Sequence, residues 1–581
     1  MENSTVTYGA ATDSKYKKRE QYDRLLSSLK TERSSFISHW RDLADYILPR
    51  RIQLTTTESN KGDKRNHKII DSTPTLAART LRAGMMAGIT SPARPWKRLT
   101  VPDPDMAEYG PVKEWLFTVD QRMNTVFARS NLYNSLPYVY GDQGVFGIAA
   151  MAVMEDEKDV LRTHVMPVGS YYCAVNDRGL VDTFMREIPM TVRQVVRMFV
   201  DMKAPPSERW MNVSTTIKNL WDANNLDARV DVIHVISANV DYPGNSSKSE
   251  DKAYSSCYFE SGSTEKKLLR ESGYDNFPIL VPRWDVTGTD VYGTACPGMD
   301  SLGDSKALQL MQKRKAEAIE KMVRPPMQGP TALRSAKASI LPGDITYLDV
   351  REGQQGFKPV YDVNPRISEL LVDIKEHQAR ISRSFYEDLF MMMLMSDRRE
   401  ITAAEIMERH EEKLLMLGPT LERENDELLD PLIDRTFTIM MNAGMIPDAP
   451  EELQGVPLKV EYVSVMAQAQ KMVGMSGLER FTGYMSNLAA INPEVLDKID
   501  MDNAVDEYGD MTGVSPRIVR TDEQAEQIRA KRREAMQQAA KAEQIKGMSE
   551  VARNMAGADM SGDNALTRMT DGIKEAGNGQ R

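Results

Sequence analysis

The sequence predicts a mixed α+β, helix-rich protein, and three observations carry that reading. Apolar residues recur at helical spacing near the N-terminus and through much of the chain after residue 300. Short β-rich runs between turn residues crowd residues 144 to 300. The 581 residues, 41% hydrophobic and 27% charged, have the make-up of folded domains, and at about 150 residues per domain they suffice for roughly three or four domains or subdomains.

From Lys15 to Leu48, Tyr22, Leu25, Leu29, Phe36, Trp40, Leu43 and Ile47 recur at three-, four- or seven-residue steps until Pro49 stops them, which predicts an amphipathic helix. After a polar loop around Asn60 to Asp63, a second helix is expected from about Thr75 to Gly88. It ends before the turn-rich Ser91-Pro92-Ala93-Arg94-Pro95-Trp96, and a third is expected over Val112 to Ala128. Strands are expected at Ala149 to Met154, Val160 to Val165, Tyr171 to Val175, Val230 to Val240 and Tyr254 to Phe259.

A long helix is then expected to begin at Asp304 as N-cap, carrying Leu308, Met311, Ile319 and Met322, and to stop at Arg324-Pro325-Pro326. About forty residues with Gly329-Pro330, Pro342-Gly343 and the strand-like runs Ile345 to Val350 and Phe357 to Val363 form a small α+β insert. Helical spacing resumes at Ile367, Leu370, Ile374, Ile381, Phe385 and Leu389, so the insert sits at the tip of a helical hairpin. A Met-rich run, Phe390 to Met395, turns abruptly basic at Arg398-Arg399. Behind it Thr402 and Glu405 have capping-box spacing. The stripe Ile406, His410, Leu414, Leu417, Leu421, Leu428 and Leu432 makes 401 to 443 one long element, with a kink expected at Gly418-Pro419. The remainder reads as largely helical to Ile545, with a loose, Gly- and Asn-containing tail beyond Met555.

Lys plus Arg number 74 against 84 Asp plus Glu, a formal charge of -10, which opposes a protein that holds nucleic acid by bulk electrostatics. Cys173, Cys257 and Cys296 have no short pair spacing, so a reducing compartment is the default. The longest uncharged apolar-leaning stretch, Gln143 to Met154, is far short of a membrane span of about 20 residues. The 37 methionines against 13 phenylalanines suit either irregular core packing or contact surfaces that repack.

Catalytic motifs fail residue by residue. Gly298 to Ser305 has the glycine spacing of a phosphate loop, but Asp304 stands at the lysine position and would repel phosphate. His410-Glu411 begins a zinc motif, yet Leu414 occupies the second ligand's place. No G-x-S-x-G elbow occurs. The acidic pairs Asp426-Glu427 and Glu411-Glu412 are neighbours that point apart on a helix. His39, His67, His164, His234 and His377 are scattered and have no partner in sequence. The expectation is a protein that is not an enzyme and takes no cofactor or metal.

Several segments together resemble the portal proteins, or head-to-tail connectors, of short-tailed bacteriophages. They are Trp40-Arg41-Asp42-Leu43-Ala44-Asp45-Tyr46-Ile47-Leu48-Pro49, Asp71-Ser72-Thr73 and Leu81 to Pro92 leading to Trp96. Further matches are Ser130-Asn131-Leu132-Tyr133, Pro282-Arg283-Trp284, Tyr292-Gly293, Leu417-Gly418-Pro419 and Asn492 to Asp497 with Ile499-Asp500. The resemblance covers about residues 20 to 545. It departs at Thr294-Ala295-Cys296-Pro297, where the family commonly has a Gly-Pro pair, so the exact entry into the first long helix is not carried over.

The resemblance implies a portal fold with wing, paired-helix stem, small α+β clip and helical crown. It implies a ring of about twelve subunits at one capsid vertex of the virion, assembled in the host cytoplasm. Double-stranded DNA would pass through the channel in packaging and ejection. A separate terminase would dock on the clip, and major capsid, scaffolding and tail adaptor proteins would be further partners, with no membrane involved. On this chain the parts fall at 1–285 (N-terminal helices and wing), 286–323 (first stem helix), 324–365 (clip), 366–389 (second stem helix) and 390–400 (channel loop). They continue at 401–465 (long kinked helix and wing return), 466–545 (crown) and 546–581 (flexible tail).

A channel that lets a duplex slide must attract phosphates without trapping them, because each neutralised phosphate adds about -0.9 to the slope of log affinity against log salt. Few lumen bases are therefore expected. The candidate channel loop is Met391, Met392, Met393, Met395, Arg398 and Arg399, unless the methionines are buried between subunits and the arginines pair with acids. Candidate stem bases are Lys306, Lys313, Arg314, Lys315 and Lys321, which do not all share one face. The candidate clip surface is Arg324, Arg334, Lys337, Asp344 and Arg351. The alternative is a helical scaffold or internal virion protein without a closed ring.

Overall fold

A computed structural model describes residues 8–55, 64–103, 106–107, 109–206, 208–240, 242–244, 248–329, 358–359, 367–395, 417–453, 455–464, 481–488, 502–505 and 522–556, with isolated positions 62, 466, 500 and 568. Two compact units divide the chain, one comprising Met1–Ala107 and Pro111–Gly483, the other Glu108–Gly110 and Tyr484–Arg581.

In the first unit, helix α1 (Tyr8–Tyr46) is the long N-terminal helix the spacing predicts. Its C-terminal half enters the main core, where Trp40, Leu43 and Ile47 are wholly buried and the Trp40 Nε1–H donates to the carbonyl of Phe146 at 3.2 Å. Helix α2 (Thr73–Gly88), strand β1 (Lys97–Thr100) and helix α3 (Gly110–Arg129) follow. Helix α4 (Leu132–Phe146) has no counterpart in the sequence reading. Its residues Leu136, Val139, Tyr140 and Phe146 are fully buried, and every position from Val139 to Phe146 is buried, so no amphipathic stripe marks its second half.

The β region forms two antiparallel sheets. Strands β2 (Ala150–Asp156) and β3 (Val160–Met166) form a hairpin extended by β9 (Ile279–Leu280) in the order β3-β2-β9. The larger sheet runs β4-β5-β6-β7-β8, comprising Tyr171–Val175, Val181–Thr191, Arg229–Ala238, Tyr254–Glu260 and Leu268–Tyr274. On one face of it lies the first half of α1, with Tyr22 stacked on Phe259 and the Arg19 guanidinium 3.7 Å from the Phe259 ring centre. Helices α5 (Val192–Phe199) and α6 (Thr215–Asp222) cover the other face through Val192, Val195, Val196 and Ile217. Helix α5 opens with a full capping box between Thr191 and Gln194.

A short helix α7 (Pro297–Asp300) leads into α8 (Leu302–Val323), followed by β10 (Met327–Gln328), β11 (Lys358–Pro359) and α9 (Ile367–Ser384). Strands β10 and β11 pair antiparallel, and Asp304 at the start of α8 meets His377 and Arg380 near the end of α9, so the two helices run antiparallel. Asp304 is therefore not the N-cap expected of it. Ser301 takes that position because α7 and α8 meet there, and the Asp304 carboxylate is drawn across to α9.

The second helix of the pair does not run unbroken to residue 389. It breaks at Phe385 and Tyr386, where Tyr386 adopts a left-handed φ of 53°, and a separate helix, α10 (Glu387–Met395), follows. Residues 390 to 395, expected to open a channel loop, are consequently helical. Phe390 is wholly buried against α2, where a Cβ on Gly84 would stand 2.2 Å from its ring.

Residues 417–424 are helical, and the departure from α geometry comes at a π turn, Asn425–Leu429, which leads into α11 (Asp430–Asn442). This π turn lies just before Pro431, whose missing N–H and bulky ring disrupt the regular ladder, and the Asp430 N–H reaches back five residues to Asn425. The turn N-terminal to Gly418-Pro419, where a kink is expected, lies outside the described residues. Strand β12 (Lys459–Tyr462) returns to pair with β1. In the second unit, α12 (Asp522–Ala556) is exposed over almost all of 525–543 and pairs with Asp502 through Arg529 at 2.6 Å. Among the described residues no helix is long and apolar enough to cross a membrane, and no His, Cys, Asp and Glu cluster could hold a metal ion.

Candidate functional site: the helix pair and its anchorage

One carboxylate ties both helices of the pair to the body. Asp71 begins the segment Asp71-Ser72-Thr73, and its Oδ1 accepts from the Thr73 N–H and hydroxyl at 2.9 and 2.6 Å, forming a local turn ahead of α2. Its Oδ2 accepts from Gln312 on α8 at 2.8 Å and from Gln378 on α9 at 2.9 Å. Gln309 closes the knot, its Oε1 accepting from the Ile70 and Asp71 amides and its Nε2 donating to the Asp71 carbonyl. Although burial opposes it, these hydrogen bonds hold the Asp71 carboxyl below its usual range. Lys306 adds an ion pair to Asp42 of α1 at 2.6 Å. Asp71 and Thr73 carry no role in the sequence analysis beyond the family resemblance. The Asp-x-Thr turn spacing was visible, whereas the two glutamines that meet it come from segments about 240 and 300 residues away.

Along the pair, the candidate bases take different places. Lys306 is engaged by Asp42. Lys313, Arg314 and Lys321 are exposed, and Lys315 is half-buried; none of these four has an ion-pair partner among the described residues. At about 100° per residue, Lys313, Arg314 and Lys321 fall on one side of α8, interleaved with Glu317, and Lys315 falls on another. Apolar side chains are also uncovered, Leu310, Ile319, Met322 and Val323 on α8 and Leu371 and Val372 on α9. Arg324 is exposed at the end of α8, whereas Arg334, Lys337, Asp344 and Arg351 lie outside the described residues. Met391 is partly exposed on α10, and the side chains of Met392, Met393 and Met395, with all of Arg398 and Arg399, lie outside them. The expected capping box at Thr402 and Glu405 does so too.

Behind the pair lies a buried ionic centre that the sequence reading did not assign. Arg283, of Pro282-Arg283-Trp284, grips Glu427 in the π turn with Nη2 to Oε1 at 2.6 Å and Nε to Oε2 at 3.1 Å. Its backbone N–H donates to the same carboxylate at 2.9 Å, and Nη2 donates to the Gly179 carbonyl at 2.6 Å. Glu424, one turn earlier, is fully buried beside Gln143. Gln143, the polar neighbour that favours the charged form of Glu424, offsets only part of the cost of its burial.

Burial pushes the Glu424 carboxyl up to about 8. The folded chain thus binds this proton more tightly than the unfolded chain, so stability falls as pH rises from the unfolded value near 4.5 through 8. Glu424→Gln should flatten urea-unfolding midpoints between pH 5 and 8.5, and a variant that tracks the parent across that window would contradict the assignment.

Fold and surface together give an α+β body with a helix pair anchored to it that carries uncovered apolar side chains. A family model for the bacteriophage head to tail connecting protein matches residues 19–519. The portal protein of Salmonella phage epsilon15 is 49% identical over 554 residues, covering 95% of this chain and 98% of that one. The probable portal protein of Bordetella phage BPP-1 is 42% identical over 556 residues, with the same two shares. The chain belongs to the bacteriophage head to tail connecting protein family.

Proposed function

We propose that the chain assembles into a closed ring of about twelve copies at one capsid vertex, forms the channel for double-stranded DNA in packaging and ejection, and joins head to tail. Family membership over nearly the whole chain carries this reading. In it, α8 and α9 are the stem, residues 324–365 the clip where terminase docks, the two sheets and their helices the wing, and 466–545 the crown. Capsid, scaffolding and tail adaptor proteins are the other partners. The uncovered apolar residues of α8 and α9 support the stem assignment, since side chains such as Val323 at 73% and Val372 at 64% exposure gain burial against a neighbouring copy.

Three stem bases interleaved with acid suit a channel that centres a duplex and releases it. Arg398 and Arg399, which follow the methionines of α10 in sequence, remain the proposed bases of the channel loop. Replacing Lys313, Arg314 and Lys321 together with Ala should leave ring assembly intact while reducing DNA retained per head several-fold and lessening its salt dependence. Unchanged retention in a packaging assay would remove these three from the channel wall.

A further inference from the structure

A row of polar side chains crosses four strands of the larger sheet. The register sets Arg186 of β5 opposite His234 of β6, His234 opposite Tyr258 of β7, and Tyr258 opposite Arg270 of β8. Residues paired in this way share a face, here the face that α5 and α6 cover in part. Along the strands that face is apolar on both sides of the row. Ile188 and Val232 belong to the cluster under α5 and α6, whereas Phe184 and Ile236 belong to the main core. The row, with the buried Ser256 beside it, is therefore a polar band between two apolar clusters.

The band holds cations without a counter-charge. His234 is 2% exposed and stacks on Tyr258 with ring centres 3.9 Å apart. Its Nε2 meets the Ser256 hydroxyl at 3.0 Å, and its Nδ1 has no partner among the described residues. Arg186 meets only neutral groups, the Tyr258 hydroxyl and the Met166 sulfur at 3.7 Å. Arg270 is exposed, so the band opens to solvent at the edge strand β8, where Glu250 lines the recess beside it without forming an ion pair. Neither arginine has an ion-pair partner among the described residues: Glu187 and Glu271, their neighbours in sequence, point to the other face, where Lys30 and Lys18 engage them. Both guanidinium charges bear on His234, and no carboxylate does.

A cation drawn out of water is costly unless an anion or a set of acceptors meets it. Guanidinium forks match the oxygens of a phosphate-like ion, and a charge-assisted bond of this kind is stronger than a neutral one. With Nε2 accepting from the Ser256 hydroxyl, the Nδ1–H of His234 is a third donor. The recessed position of His234 admits a small ion rather than a polymer backbone. We propose that Arg186, Arg270 and His234 hold a small oxyanion of the phosphate class in the band between the two apolar clusters. This site is separate from the stem bases and does not depend on the ring reading.

The test is isothermal titration of the full chain with inorganic phosphate, at constant ionic strength set by chloride, with circular dichroism to check that each variant is folded. The parent should bind a single phosphate per chain saturably. Arg270→Gln, an exposed position that leaves the fold intact, should weaken that binding by about tenfold, the loss of one charge-assisted hydrogen bond, and Arg186→Gln should do the same. Arg197→Gln, which removes an exposed charge from α5 nearby, should bind like the parent. Absence of saturable binding overturns the proposal, as does an Arg270→Gln chain that binds like the parent or an Arg197→Gln chain that loses as much as Arg270→Gln. A short DNA duplex that displaces the phosphate one for one would make the band a nucleic-acid contact and overturn the small-ion assignment.

Discussion

Arg283→Ala is expected to destabilise the first unit by up to about 3–5 kcal/mol, the cost of stranding one partner of a buried ion pair, less what Arg423, 3.9 Å from the Glu427 carboxylate, restores. The side chains of Arg283 and Glu427 are 4% and 8% exposed, so water cannot replace the lost guanidinium. The Gly179 carbonyl loses its donor in the same step. Arg283→Met with Glu427→Leu should recover most of the loss, because removing both charges removes the stranded one. Urea-unfolding midpoints measure both. A single-variant loss below about 1 kcal/mol would mean the π turn is not held by this pair.

Gly293→Ala should be worse than its single methyl group suggests. A Cβ there would stand 2.0 Å from the Gly147 carbonyl oxygen, a backbone atom that also accepts from the Trp284 N–H at 3.0 Å. Gly147 itself ends α4 at a left-handed φ of 79° and cannot move without uncapping that helix. Overpacking of side chains costs about 1–3 kcal/mol, and contact with pinned backbone lies at or beyond the top of that range. Gly303→Ala is the control. In α8, with nothing within 4 Å of the new Cβ, it should stabilise by about 0.5–1 kcal/mol. Equal effects at the two glycines would contradict the packing described for α4.

These two sites also mark the limit of what sequence shows. Helix α1 was legible because Tyr22, Leu29, Trp40 and Ile47 are buried on a sequence that is otherwise polar. The hairpin α8–α9 was legible from its stripes and from Pro325-Pro326. Helix α4 was hidden by burial all round its second half and by Pro137 within it. Strand β5 was hidden by Asp182, Arg186 and Glu187, which a half-buried strand tolerates, and β8 by its polar C-terminal half. The break at Tyr386 has neither Gly nor Pro to announce it. Asp71, Gln309, Gln312 and Gln378 became a site only through contacts over long sequence separations, which no local pattern encodes. The family resemblance was legible because its segments are contiguous.

The central claim, a closed ring, is tested most directly by negative-stain electron microscopy of the purified chain with light-scattering mass in parallel. Rings with a central hole and a mass near that of about twelve subunits are the expected result. A single monodisperse subunit mass across salt and protein concentration would contradict it.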